Sequence, residues 1–182
     1  MNNNKSYNTI YFITGIIFIG IISRLIPNNI PNFSAVGAVA LFAGNYIKNI
    51  QLRYSIPIIA MLISDLLLNF SGTDLASPLV QISVYGSFAL TVFIGTIDIK
   101  KLSKLLSIPI ASVFAALVFF IITNFAVWLN GWYGYTFEGL LTCYAAAIPY
   151  FGYTILGNLT YSAILFGSYE CFKSKSTNLV TR

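Results

Sequence analysis

Six apolar runs, separated by short polar or glycine- and proline-containing breaks, organise the chain. The first is Thr9 to Ile22, extendable through Arg24 to Ile26. The second, Phe33 to Ile47, is short and rich in small residues: Ala35, Gly37, Ala38, Ala40, Ala43 and Gly44. The third runs from Tyr54 to Phe70, the fourth from Pro78 to Ile97 and the fifth from Leu106 to Leu129. The sixth is Ile148 to Phe172, followed by a polar tail. A helix crossing a bilayer needs about 20 apolar residues. The pattern therefore predicts an all-α polytopic membrane bundle of six transmembrane helices, with residues 1–182 forming one integral membrane domain. Pro27 and Pro31 bar a regular helix between the first two runs, and Ser34 is placed to cap the second. Ser71-Gly72-Thr73-Asp74 reads as a turn. The mixed, aromatic stretch 130–147 reads as a loop.

Composition strengthens this reading. The chain is 57% hydrophobic and 8% charged, whereas soluble domains carry roughly 25% charged residues. The first run lacks a small-residue cleavage site, so it reads as a retained helix and not a removed signal peptide.

Charge then orients the bundle. With six crossings, one side holds Lys5; Lys48 and Arg53; Lys100, Lys101 and Lys104; and Lys173, Lys175 and Arg182. Those are nine of the 10 basic residues. The other side holds Arg24 with Asp74 and Glu138. Basic loops stay in the cytoplasm, which places both termini there and the protein in a bacterial inner membrane. The net charge of +5 is thus a topology signal and not a nucleic-acid footprint. The absence of histidine excludes histidine-ligated metals and Ser-His or Cys-His catalysis. Cys143 and Cys171 form no disulfide framework. No P-loop, metal-ligand cluster or catalytic carboxylate pair is visible, so the sequence predicts no cofactor and no enzyme. An energising ATPase would have to be a separate subunit.

Polar residues inside the apolar runs are the candidate site. Charges in hydrocarbon are costly and face a bundle interior or a cavity. Asp65 is the clearest case, with Asn69 one turn further along the same helix. Gln81 and Tyr85 follow the same i, i+4 spacing on the fourth run, and Asn124 and Trp128 do so on the fifth. Thr154, Asn158 and Ser162 form a stripe on the sixth. Arg24 stands at the outer end of the first run. These positions predict a polar pocket in the outer half of the membrane, covered by Trp132, Tyr133, Tyr135 and Glu138. The bland readings stay open: amides and hydroxyls that only tie helices together, an interfacial aromatic belt, and Arg24 either paired with Asp65 or reaching to outer headgroups. A further reading joins Arg24, Asn28, Asn29, Asn32 and the outward N-terminus of the second helix into an anion site. Ala40 and Gly44, with Gly37 near, form a small-residue face for close helix contact, as do Ala111 and Ala115.

Several stretches carry a family resemblance. Arg24 to Pro27, Pro31 to Gly44, Ser64-Asp65, Phe119 to Leu129, Gly139 to Phe151 and Gly157 to Gly167 resemble a family of small bacterial membrane proteins of uncharacterised function. Members of that family often carry Asp at the position of Asn158. The family in turn resembles the substrate-binding S components of energy-coupling-factor vitamin transporters, six-helix proteins with a ligand pocket in the outer half. That resemblance implies a small-molecule ligand, a lipid bilayer, and coupling subunits and ATPases as partners. S components typically dock through an Ala-xxx-Ala face on the first helix. Here the first run has Gly15 and Gly20 and no such face.

The sequence therefore points to a membrane-embedded binding subunit for uptake of a small nutrient. Its candidate substrate-binding residues are Arg24, Asp65, Asn69, Asn124, Trp128 and Asn158. The alternative is a structural or scaffolding protein of the inner membrane.

Overall fold

The structure, a computed structural model, describes residues 3–26, 30–97 and 103–180, with side chains described at 11–26, 30–97, 103 and 105–171. Six helices account for nearly all of it: α1 (Asn3–Leu25), α2 (Val36–Tyr46), α3 (Ile50–Phe70), α4 (Pro78–Thr96), α5 (Lys104–Leu129) and α6 (Phe137–Val180). Among the described residues, four segments are long and apolar enough to cross a membrane: Ile50–Phe70, Pro78–Thr96, Leu105–Leu129 and Phe137–Cys171. Their outward faces carry large apolar residues such as Leu66, Ile82, Phe93 and Ile164. Backbone bonds satisfied within each helix and apolar side chains turned outward are the build of a membrane protein.

α2 lies at the centre of the bundle. Val36 through Gly44 are all buried, and the helix packs on α1, α3, α4, α5 and α6. A helix that is apolar all round belongs in a core. With 11 residues it is about 16 Å long, against roughly 30 Å of hydrocarbon. Its small residues let α4 approach closely. A Cβ on Gly44 would collide with the Val92 carbonyl, and one on Gly95 would collide with the Leu41 carbonyl. The small-residue face predicted at Ala40 and Gly44 thus meets α4 backbone to backbone.

Boundaries differ from the sequence expectation at several ends. α1 begins at Asn3, ahead of Thr9. α3 begins at Ile50, ahead of Tyr54, because Asn49 caps it by accepting from Leu52 N–H at 3.1 Å. α4 starts as expected, with the Ser77 side chain as cap and Pro78 in the first turn, where a proline loses no helical bond. Ser34 does not cap α2. The N-cap is Ala35, without a side-chain cap bond, and Ala35 N–H donates to Ser23 Oγ at 2.9 Å. The largest correction is α6. It begins at Phe137, eleven residues before Ile148, and runs to Val180, past Phe172. Thr136 Oγ1 accepts from Gly139 N–H at 3.0 Å, and Glu138 lies in the first turn, where a negative charge favours a helix start.

Candidate functional site

A cavity of about 540 Å³ opens at one end of the bundle. Its mouth is formed by Ile30, Asn32, Ser71 and Thr73, all exposed, and its depth by Thr91, Ala115 and Asn158. From Ser77 to Thr91 is about 21 Å along α4, so the cavity reaches far into the bundle. Each long helix contributes one face at helical spacing. α4 gives Val84, Phe88 and Thr91, α5 gives Ala115 and Phe119, and α6 gives Thr154 and Asn158. Segment 30–34 completes the wall. Asn32 adopts φ 63°, a left-handed conformation that asparagine tolerates better than most residues. Gly157 makes room for this segment, since its missing Cβ would lie 3.1 Å from Ser34 N.

One charge pair stands beside the cavity. Arg24 Nη1 lies 2.6 Å from Asp65 Oδ1, and the two side chains are only 20% and 12% exposed. The same nitrogen reaches Ser64 Oγ and the Met61 carbonyl at 3.4 Å. Tyr85 hydroxyl donates to Asp65 Oδ2 at 2.7 Å. Both carboxylate oxygens thus have a partner, which offsets the cost of a charge held away from water. Arg24 therefore turns into the bundle and pairs with Asp65; it does not reach for headgroups. It also lines the cavity, which Asp65 does not.

Asn158 is 5% exposed. Its Nδ2 donates to the Ser112 carbonyl at 3.2 Å, and its amide abuts Gly37, where a Cβ would overlap Oδ1. Ser112 Oγ donates to Ser162 Oγ at 3.0 Å, so the lower part of the α6 stripe ties α5 to α6.

Besides Asp65, three more predicted site residues fall outside the cavity wall. Asn69 is exposed on the last turn of α3. Asn124 Nδ2 donates to the Phe120 carbonyl of its own helix at 2.8 Å. Trp128 packs near Phe125 and Tyr135, and its Nε1 is buried with no partner among the described residues. The reason is rotational. The cavity face of α5 runs through Ala115 and Phe119 and continues at Thr123 and Ala126, both buried; Asn124 is one residue, about 100°, further round. Trp132, Tyr133, Tyr135 and Glu138 also lie outside the cavity wall; the cover is segment 30–34 instead. Nor do the polar groups share one depth. With α6 starting at Phe137, Asn158 lies about 32 Å along it and meets Ser112, close to the opposite end of α5.

Asn28, Asn29, Lys100 and Lys101 lie outside the described residues, as do the side chains of Lys5, Lys104, Lys173 and Lys175. Ser23, Phe88, Thr91 and Phe119 line the cavity but were not singled out as site residues. Their spacing at i, i+3 and i+4 from other lining residues is the signal that could have found them. Among the described residues, no group of three or more His, Cys, Asp and Glu side chains is placed to hold a metal ion. The arrangement offers hydrogen bonds and a shaped, partly apolar space, which is binding chemistry.

No curated protein and no solved structure matches the chain. A model for DUF6580, a family of unknown function, matches residues 4–179, and the chain belongs to that family.

Proposed function

We propose that the protein is a membrane-embedded binding subunit for uptake of a small solute, similar in type to the S components of energy-coupling-factor transporters. The observation that carries this reading is the cavity. Its volume of about 540 Å³ falls within the roughly 300–1,000 Å³ usual for small-ligand sites. Its wall combines apolar side chains such as Phe88 and Phe119 with convergent polar groups such as Arg24, Thr154 and Asn158, the mix from which ligand sites are built.

The chain crosses the membrane six times in this reading, with both termini in the cytoplasm and the cavity mouth outside. Nine of 10 basic residues on one side support that orientation. α2 alone is shorter than a crossing, and the segment before it is irregular, with a turn closed by Phe33 N–H donating to the Ile30 carbonyl at 3.3 Å. Irregular backbone is tolerated at membrane depth only where it is buried in protein or lines a water-filled cavity, and segment 30–34 lines this one. Energy would come from separate coupling subunits and ATPases.

The test is a screen of small polar solutes against the purified protein, read as thermal stabilisation. A binding subunit gives hits that are lost in Thr154→Trp, which fills the cavity. No hit for the native chain, together with a Thr154→Trp variant that retains full activity in cells, supports the scaffold instead.

A further inference from the structure

We infer that the cavity takes a small monocarboxylate, held between Arg24 and the N-terminus of α2; this rests on the cavity being a binding site. Arg24 is the only charged residue among the described residues of its wall, and no Asp or Glu is present there. The wall itself thus offers a cation no carboxylate.

Arg24 has donors to spare. Asp65, Ser64 and Met61 all engage Nη1, and Nε and Nη2 have no partner among the described residues. A guanidinium presents five N–H donors in a fixed fork that suits a carboxylate. The pair with Asp65 is net neutral, so Arg24 offers hydrogen-bond donors with little net charge, which disfavours a doubly charged phosphate more than a singly charged carboxylate.

The second half of the site is the start of α2. Ala35 N–H is taken by Ser23 Oγ and Val39 N–H by the Ala35 carbonyl. The N–H groups of Val36, Gly37 and Ala38 have no acceptor among the described residues. Ser34 and Gly37 border the cavity, so this end of the helix faces it. Open N–H groups and the helix dipole favour an anion there. Ser23, next to Arg24 in the chain, holds Ala35 directly, which brings the guanidinium segment and the helix start together.

A third, independent observation is Asn158. It is 5% exposed, lines the cavity, and its Oδ1 has no donor among the described residues. As an acceptor bordering the cavity, Oδ1 is open to a donor from a ligand. It matches an O–H or N–H on the ligand, separate from the carboxylate. Phe88 and Phe119, with ring centroids 5.4 Å apart, offer a surface for an apolar body. The ligand class is thus a small, largely apolar monocarboxylate that bears a hydroxyl or amino group.

The experiment uses the full chain purified in a neutral detergent and three matched probes: 4-hydroxybenzoate, 4-hydroxybenzamide and 4-hydroxybenzylamine. Thermal unfolding is followed at increasing millimolar probe. The carboxylate is expected to raise the midpoint by several degrees, and the amide and amine to have little effect. Arg24→Gln should weaken carboxylate affinity at least about tenfold, the loss of one hydrogen bond to a charged group. Because that variant also breaks the pair with Asp65, Ser34→Asp provides a second arm. It sets a built-in carboxylate at the start of α2 and leaves Arg24 and Asp65 intact. It should raise the midpoint without ligand and abolish the response to 4-hydroxybenzoate. Equal stabilisation by amide and carboxylate, or an undiminished response in Ser34→Asp, overturns the inference and leaves the binding reading standing. No response to any of the three also overturns it, while the wider solute screen decides the binding reading by itself.

Discussion

Near its C-terminal end α2 anchors a cluster of aromatic rings. Phe42, with no exposed surface, sits 4.8–5.7 Å in ring centroids from Phe12, Tyr46, Phe166 and Tyr169. Tyr46 adds a hydrogen bond to Glu170 Oε1 at 2.6 Å. At its N-terminal end the same helix borders a cavity walled by Arg24, Ser34, Thr154 and Asn158. Within eleven residues the helix passes from an open cavity with polar walls to an aromatic cluster. In a membrane, water does not drive helices together; close packing and hydrogen bonds do. The packed end therefore supplies the cohesion that the open end gives up.

The largest effect belongs to the packed end. Phe42→Ala removes four ring contacts from a fully buried site and should cost about 4 kcal/mol, read as a fall in the unfolding midpoint of the purified protein. A cost below about 1 kcal/mol would show that the two ends are not different in kind.

Next comes the charge pair beside the cavity. Asp65→Ala leaves Arg24 without its counter-charge and should cost about 3 kcal/mol. Replacing both by leucine should restore most of that, since an apolar pair of similar volume often replaces an ion pair without loss. If the double variant is no more stable than Asp65→Ala, the pair does more than neutralise charge.

The smallest effect marks the link between α5 and α6. Ser162→Ala loses the hydrogen bond from Ser112 and should cost about 0.6 kcal/mol, the usual size of an interhelical hydrogen bond in a bundle. A loss several times larger in a thermal melt would mean that this contact also positions Asn158.

Much of this contrast was legible in the residues. Each of the six apolar runs contains a helix, because a run of that length leaves its backbone no other partner in lipid. The Arg24–Asp65 pair was foreseen as one of three options, since an intramembrane carboxylate requires a partner. The small-residue face at Ala40 and Gly44 pointed to close contact, though not to α4. Three things were hidden. The central place of α2 depends on contacts with five other helices, which no local pattern encodes. The start of α6 at Phe137 was masked by aromatic and glycine residues around it, although Leu140, Leu141 and Ala145 to Ala147 are good helix formers. That error of three turns carried Thr154 and Asn158 to the wrong depth. The exclusion of Asn124 and Trp128 followed from helix rotation, which i, i+4 spacing within one helix does not set.

The central claim is that this cavity is reached from outside the membrane. Thr154→Cys, made in a background with Cys143→Ala and Cys171→Ser, tests it most directly. Right-side-out vesicles are exposed to a membrane-impermeant, negatively charged methanethiosulfonate, with Ser162→Cys as the buried control. The account predicts rapid labelling at position 154 from the outer face and none at 162. Labelling at 154 only in inverted vesicles, or at neither face, would contradict it.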